Sequence, residues 1–240
     1  MYSLQEVYDN IARHSGEIQI VFGLLVVSAY IQMGLAIWLG FRDKSHAIPI
    51  VPLMIFFAHD TEHLYRHNYW FKIIGHPFFM AGYWTFPIYI AAELVIMFQI
   101  IRYSRAELFP GASCRQAIGI LIALQICTFV VYVWAHEQLG DPLYLVVALG
   151  VTQFLSHAFN IPMLLRRGSR KGQSIFFACN ILLGAGILNW FFGLPLFAEQ
   201  FRTPAHYAMG TVVVLLGSAY LYLLWRTPPY SVKRATATDV

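Results

Sequence analysis

Residues 116–136 read QAIGILIALQICTFVVYVWAH and contain no Asp, Glu, Lys or Arg. A helix of about twenty such residues spans the ~30 Å hydrocarbon core of a bilayer, whereas a membrane strand shows about ten alternating residues. Apolar runs of this length recur along the chain, and strand-like alternation is absent. The stretch therefore predicts an all-α fold, an integral membrane bundle of transmembrane helices.

The composition of the whole chain agrees with this prediction. Hydrophobic residues make up 58% and charged residues 12%, with a mean hydropathy of +0.59. Soluble domains carry about 25% charged residues, so a disordered chain, a coiled coil and an ordinary soluble enzyme are excluded. The net charge of +4 does not indicate nucleic-acid binding, because the basic residues lie in short loops between apolar runs. The three cysteines show no paired spacing that would predict a disulfide framework or a cysteine metal site.

Seven transmembrane helices are predicted, at 18–40, 47–66, 77–101, 116–136, 142–165, 174–197 and 206–225. They form one transmembrane domain over 18–225, between an amphipathic surface segment over 1–17 and a tail over 226–240. Of the Lys and Arg residues, 12 fall on one side and 4 on the other. The positive-inside rule then places the N-terminus outside or in the lumen and the C-terminus in the cytoplasm. The expected location is the bacterial inner membrane or the endoplasmic reticulum.

The second predicted span carries an unusual concentration of polar residues. It ends in the stretch His59-Asp60-Thr61-Glu62-His63-Leu64-Tyr65-Arg66-His67. At 100° per residue, His59, Glu62, His63, Arg66 and His67 share one helix face. Ionisable groups are costly in lipid, so this face is expected to line a cavity and to mark the functional site.

Polar and aromatic residues of the other spans are predicted to meet this face at the same depth. The substrate-binding candidates are His59, Tyr65, Trp84, Tyr89, Glu93, Tyr132, His136, His157, Asn189, Trp190 and His206. Less specific interpretations remain open. Asn and Gln also join helices by hydrogen bonds, tryptophans collect at membrane interfaces, and a single histidine is often a satisfied core residue.

General acid catalysis in an apolar pocket is the favoured chemistry. Burial favours the neutral form of a carboxylic acid, which can then protonate an epoxide or an alkene. Glu62 is the predicted acid, with Asp60 and His63 tuning its proton affinity or receiving the proton. Trp84 and Trp190 are expected to stabilise the resulting cation through their ring faces.

Two other functions fit the same residues. His59 and His63 are spaced i, i+4, and with His67 they could bind zinc or iron in a metal-dependent hydrolase. Buried carboxylates also relay protons in proton-coupled transporters. A retinal protein is disfavoured, because the last span contains no lysine.

The stretch Thr61-Glu62-His63-Leu64-Tyr65 resembles the Trp-Glu-x-x-Tyr motif of the small seven-span terpene cyclases of paxilline- and pyripyropene-type meroterpenoid pathways. Residues 167–174, Arg-Gly-Ser-Arg-Lys-Gly-Gln-Ser, are similar to a loop of that family. The resemblance implies that Glu62 protonates a prenyl chain. It departs from the family at Thr61, which replaces Trp, and in the last span, which lacks the family's second acid.

The favoured prediction is thus a membrane-embedded cyclase or isomerase that takes a lipophilic isoprenoid from the bilayer. No cofactor and no metal are predicted for it, and membrane lipid is the expected surrounding. The sequence does not predict an oligomeric state.

Overall fold

The computed structural model describes residues 2–231, and these residues contain helices and no β-strand. The main helices are α1 (Leu4–Arg13), α2 (Ser15–Asp43), α3 (Ile50–Tyr65), α4 (Pro77–Tyr103), α5 (Cys114–Leu139), α6 (Leu145–Arg167), α7 (Ile175–Phe197) and α8 (Pro204–Arg226). Short helical segments lie at Tyr69–Ile74, Arg105–Leu108 and Glu199–Arg202. The predicted tail begins at the last residue of α8, and its residues 232–240 lie outside the described part.

Six helices, α2 and α4 to α8, are long and apolar enough to cross a membrane. Their outward faces carry large apolar side chains, such as Ile122, Val130 and Leu215, which are 56%, 62% and 63% exposed. Soluble proteins rarely expose apolar surface on this scale, so the chain is a membrane protein. α3 has 16 residues and is the polar helix of the bundle.

α3 lies inside the bundle and packs against α4, α5 and α6. α2 packs against α4 and α7, and α8 packs against α6 and α7. A glycine allows α2 and α7 to approach closely, because a Cβ at Gly184 would overlap the Ser28 side chain. The polar residues Asp60, Glu62 and His63 of α3 are buried against neighbouring helices.

The longer helices contain irregular segments. α4 is broken at Trp84, just before Pro87, and is helical again from Phe86. α6 and α7 contain π-helical segments at Leu145–Val151 and Leu182–Gly193. Such segments frequently mark functional sites, because they change the direction of side chains within a helix.

α1 lies across one end of the bundle, where Val7 and Ile11 are buried against the other helices. Tyr8 Oη donates to Ile74 O at 2.9 Å, and Asn10 Nδ2 donates to Phe197 O at 3.0 Å. Tyr2 donates to Asp141; burial and this carboxylate raise the pKa of Tyr2, so its hydroxyl keeps the proton. The segment predicted to lie on the membrane surface thus packs against one end of the bundle.

The opposite end is held by Arg167 at the end of α6. Arg167 Nη1 donates to His46 O at 2.9 Å, and its Nε donates to Glu107 Oε1 at 3.0 Å. Burial alone would raise the pKa of Glu107, but Arg167 and Arg166 outweigh it and hold that pKa below its usual value. Burial and Arg167 keep the pKa of His46 well below normal, so His46 is neutral. The loops after α2 and α4 are therefore tied to α6.

Candidate functional site

A cavity of about 220 Å³ lies between α2, α3, α4, α6 and α7, near the end that α1 covers. Its walls are mostly apolar, with the aromatic residues Trp70, Phe78, Phe79, Phe86, Tyr89 and Tyr144 among the lining residues. Its polar lining includes His59, Asp60 and His63 from α3. No Lys or Arg is among the lining residues in the described part. The cavity therefore suits an apolar, uncharged guest.

Asp60 lies beside Glu93 of α4, at the cavity wall. Asp60 is 5% exposed and Glu93 is 0% exposed, and the two carboxyl groups are close enough to interact. Neither oxygen of Glu93 accepts a hydrogen bond from an N–H or O–H group of the described residues. Among the described residues no Lys or Arg pairs with Asp60 or Glu93, and the basic neighbour of Asp60 is the imidazole of His59. The pair is therefore two neighbouring carboxyl groups, one of which reaches the cavity.

The two histidines of α3 have different hydrogen-bond partners. His59 Nδ1 lies 2.6 Å from Tyr132 Oη, and its Nε2 lies 3.6 Å from Asp60 Oδ1. His63 Nδ1 lies 2.8 Å from the backbone carbonyl oxygen of His59. Because a carbonyl oxygen only accepts, His63 Nδ1 carries a hydrogen, and Nε2 of the neutral ring keeps its lone pair. His63 thus brings a potential base to the cavity lining.

Glu62 is buried but is not among the cavity-lining residues. Its Oε1 accepts from Arg66 Nη2 at 2.8 Å and from Tyr144 Oη at 3.0 Å. One oxygen of Glu62 therefore has a cationic partner and a hydroxyl donor, and the role of Glu62 as the acid stays a prediction.

The remaining candidates divide into those that line the cavity and those that do not. Tyr89 and Asn189 line it, while Tyr132 and His136 lie behind it against His59 and Tyr144. Tyr65 and Trp84 are 85% and 63% exposed and lie outside the pocket predicted for them. Tyr65 is the last residue of α3, and Trp84 lies at the break in α4, so neither side chain follows the inner face of its helix.

Three further candidates lie elsewhere in the bundle. His206 Nε2 donates to Trp190 O at 2.9 Å, and the two rings stack with centroids 5.0 Å apart. Neither residue is part of the cavity lining. His157 is fully buried and donates from Nδ1 to Gln153 O at 2.8 Å. A Cβ at Gly217 would come within 2.8 Å of the His157 ring, so the ring of His157 packs closely against α8.

The three histidines of the metal-site alternative do not converge. His59 and His63 are adjacent, with ring centroids 3.9 Å apart, but the His67 ring stacks on Phe71 at 4.3 Å. Among residues 2–231, no group of three or more His, Cys, Asp or Glu side chains is placed to hold a metal ion.

Sequence reasoning missed Tyr144, a central residue of the site. Tyr144 is fully buried, stacks on His136 with centroids 3.7 Å apart and contacts His63 at 4.2 Å. Its φ of +61° is rare for a residue with a side chain and places the ring just before α6 begins. The helix-start signal Asp141-Pro142 could have drawn attention to it.

No protein-family model, curated protein or solved structure matches this chain. The resemblance to meroterpenoid cyclases therefore stays a prediction from two short motifs.

Proposed function

We propose that the protein is a membrane-embedded isoprenoid cyclase or isomerase in which the Asp60–Glu93 pair supplies the proton. The observation that carries the proposal is this buried carboxyl pair at the wall of an aromatic cavity. Such a site combines an acid, a lining that tolerates positive charge and access for an apolar guest, which are the three requirements of cation-based ring closure.

The pairing of two carboxyl groups supports the acid role. Two ionised carboxylates side by side, without a Lys or Arg partner among the described residues, repel each other and lose their hydration when buried. A proton held between them relieves both costs, as in other enzymes with paired carboxyl groups. Asp60 is the member that lines the cavity, so it is the one placed to hand the proton to a guest, and Glu93 positions it.

The reaction that this site would perform is redox-neutral and needs no co-reactant. The Asp60 acid protonates the oxygen of an epoxide, and the carbon–oxygen bond breaks to leave a tertiary cation. A neighbouring alkene of the same chain attacks the cation and closes a ring. His63 Nε2 then removes a proton from carbon to form an alkene, and return of that proton to the carboxyl pair resets the site.

The surroundings support protection of the cation from water. Trp70, Phe86 and Tyr144 surround His63, with ring centroids 4.8, 4.6 and 4.2 Å from it. Ring faces attract cations without reacting as bases. α1 covers the neighbouring bundle end, and exclusion of water there prevents early capture of the cation.

The proposal changes the role predicted for Glu62. Its ion pair with Arg66 and its bond from Tyr144 favour a positioning role, since Tyr144 contacts the His63 ring. We therefore assign the acid role to Asp60 and Glu93 in place of Glu62.

We further propose that α3 crosses the membrane as the seventh span, with the N-terminus outside or lumenal and the C-terminus cytoplasmic. The 16 residues of α3 rise about 24 Å, less than a full ~30 Å bilayer core. Its contacts with α4, α5 and α6 support a span that is shielded by other helices, which explains why it tolerates so many polar groups.

Conversion of an epoxide probe tests the function. Purified protein in nanodiscs is incubated with 10,11-epoxyfarnesol, and cyclic products are measured by gas chromatography and mass spectrometry. Asp60→Asn is expected to reduce turnover by about 10²–10⁴-fold, as loss of a general acid does. Glu93→Gln is expected to reduce it less and to change its pH profile, while Tyr65→Phe is the matched surface control.

Several results would contradict the proposal. Cyclisation by Asp60→Asn at the wild-type rate would exclude the carboxyl pair as the acid. Loss of activity in Glu62→Gln with full activity in Asp60→Asn would return the acid to Glu62. Absence of conversion, together with proton-coupled flux of a solute in proteoliposomes, would favour a transporter.

A further inference from the structure

Two amide side chains on the α6 and α7 side of the cavity carry oxygen atoms without a partner. Asn189 of α7 and Gln153 of α6 both line the cavity. Asn189 Oδ1 and Gln153 Oε1 are buried and accept no hydrogen bond within the described residues. Asn189 itself is 1% exposed, so bulk water does not satisfy its oxygen.

The orientation of the Asn189 amide is fixed by its other half. Asn189 Nδ2 donates to Leu149 O at 2.6 Å, in the π-helical part of α6. Since a carbonyl oxygen only accepts, the NH₂ group must face Leu149 and the side-chain oxygen must be the free group. The site therefore offers an acceptor that cannot exchange roles with a donor by flipping.

A buried acceptor without a partner is costly, because the loss of its hydrogen bonds to water is not compensated. Among the described amide oxygens without a partner, those of Asn189 and Gln153 belong to residues that line the cavity. We propose that Asn189 and Gln153 form a subsite for a hydroxyl group of the ligand, and that the guest of this cavity is a lipophilic alcohol or phenol. This inference rests on the proposed function in one respect, that the cavity holds a lipophilic substrate.

The chemistry of the lining selects a hydroxyl group among polar head groups. A hydroxyl group can donate its single hydrogen to Asn189 Oδ1 or to Gln153 Oε1, whereas an ether, ester or ketone has no hydrogen for the fixed acceptor Asn189 Oδ1. A phosphate or diphosphate would need cationic partners, and the described lining has no Lys or Arg. An ammonium group would need desolvation of a full charge, which is far more costly than burial of a neutral hydroxyl. The aromatic remainder of the cavity then holds the apolar chain.

Binding of two matched probes tests the subsite. Farnesol and farnesyl methyl ether share one chain and differ in the hydroxyl hydrogen, so their affinity ratio reports the donor. Each is titrated into the full-length protein in nanodiscs, with tryptophan fluorescence as the signal, at equal mole fractions in lipid. We expect the wild type to bind farnesol about tenfold more tightly than the ether.

Two variants localise the effect. Asn189→Leu is expected to bring the farnesol-to-ether affinity ratio close to one. It also removes the hydrogen bond to Leu149 O, so it risks a change in local structure. Gln153→Met avoids that risk, because the Gln153 side chain makes no hydrogen bond within the described residues, and it is expected to lower the ratio by several-fold. Tyr65→Phe, at an exposed position, is expected to keep the wild-type ratio.

Each other outcome overturns the inference. Equal affinity of the wild type for both probes, or an undiminished ratio in both variants, would remove the subsite. Absence of binding of either probe would remove the cavity as a lipid site. Tighter binding of farnesylamine than of farnesol, dependent on Asn189, would replace the hydroxyl with an ammonium group.

The same titrations with Asp60→Asn separate this inference from the proposed function. That variant lacks the proposed acid but keeps the amide wall, so the alcohol-to-ether ratio is expected to persist. A persistent ratio would leave the subsite in place even if the acid mechanism fails, which would be shown by a wild type that does not convert the epoxide probe or by an Asp60→Asn variant that converts it at the wild-type rate.

Discussion

At the residue scale, Glu62 shows how a carboxylate is accommodated inside an apolar bundle. Its side chain is 2% exposed, and one oxygen receives both the guanidinium of Arg66 and the hydroxyl of Tyr144. Arg66 is 29% exposed and also lies 3.9 Å from Glu137, so it connects the buried carboxylate to the surface. The arrangement holds only while both charged partners are present.

Breaking this pair from the Arg66 side is therefore expected to be costly. Arg66→Met leaves Glu62 buried with Tyr144 as its one remaining donor, and we expect a loss of about 2–3 kcal/mol of stability. Glu62→Gln in the Arg66→Met background removes the stranded charge and is expected to restore most of that loss. Unfolding in increasing SDS fractions measures both variants. A double variant no more stable than Arg66→Met would show that the two residues are not coupled.

Sequence reasoning located polar residues that line the cavity. Helical periodicity placed His59 and His63 on one face of α3, with Asp60 beside that face, and all three line the cavity. The i, i+4 spacing of Glu62 and Arg66 permits their ion pair, but periodicity could not distinguish this pair from a Glu62 that faces the cavity. Nor could it find Tyr144, whose position depends on a left-handed backbone conformation outside any helical period.

At the element scale, the predicted apolar segments coincide with α2 to α8 to within a few residues at each end. Hydropathy and capping residues explain this agreement. For example, Ser113 and Gln116 form a capping box at the start of α5. The break in α4 lies just before Pro87, a helix-breaking signal that the sequence does contain. The π-helical segments were not predicted, because they depend on contacts between helices and leave no periodic signal in the sequence.

The close contact between α2 and α7 yields a test of helix packing. A Cβ at Gly184 would overlap Ser28 Oγ and lie 2.8 Å from Ser28 Cβ. We expect Gly184→Ala to cost about 1–3 kcal/mol, because the helices must move apart. Ser28→Gly should recover most of the loss.

Gly119→Ala on α5 is the matched control for this substitution. Nothing lies within 4 Å of a Cβ at Gly119. It should therefore be neutral, or stabilising by up to about 1 kcal/mol through helix propensity. SDS unfolding of the variants measures the difference. Equal stabilities of Gly184→Ala and Gly119→Ala would contradict the packing argument.

α1 is expected to limit access of water to the cavity, since it covers the bundle end beside Phe197 and Leu143. A cysteine at the cavity-lining Ala148 reports this access, in a background without Cys114, Cys127 and Cys179. Removing the residues before His14 should raise its labelling by a charged methanethiosulfonate at least about tenfold, because a buried thiol reacts slowly. A cysteine at the exposed Tyr65 should label equally in both forms, and an unchanged rate at Ala148 would contradict the covering role.

At the scale of the whole molecule, the two ends of the bundle differ in chemistry. One end gathers α1, the aromatic cavity and the carboxyl pair, whereas the other carries Arg167 with Glu107 and the neutral His46. The pKa of Glu107 is held low by Arg167 and Arg166, despite its burial. Its contribution to stability is therefore present above the pKa that Glu107 has in the unfolded chain, and it is lost as the pH falls through the lower folded value.

The orientation of these ends depends on whether α3 crosses the membrane, and the residues that flank it give the test. Lys44 and Asn68 are both exposed, one before α3 and one after the turn that follows it. If α3 is a span and the positive-inside rule holds, a cysteine at position 68 reacts with an impermeant maleimide on intact cells, whereas one at position 44 reacts only after permeabilisation. Native Cys114, exposed at the start of α5, should behave like position 44 and serves as the internal reference. Equal labelling at positions 44 and 68 would place both ends of α3 on one side. The bundle would then have six spans, and Asp60 would lie on a helix that does not cross the membrane, while Glu93 would lie on a span.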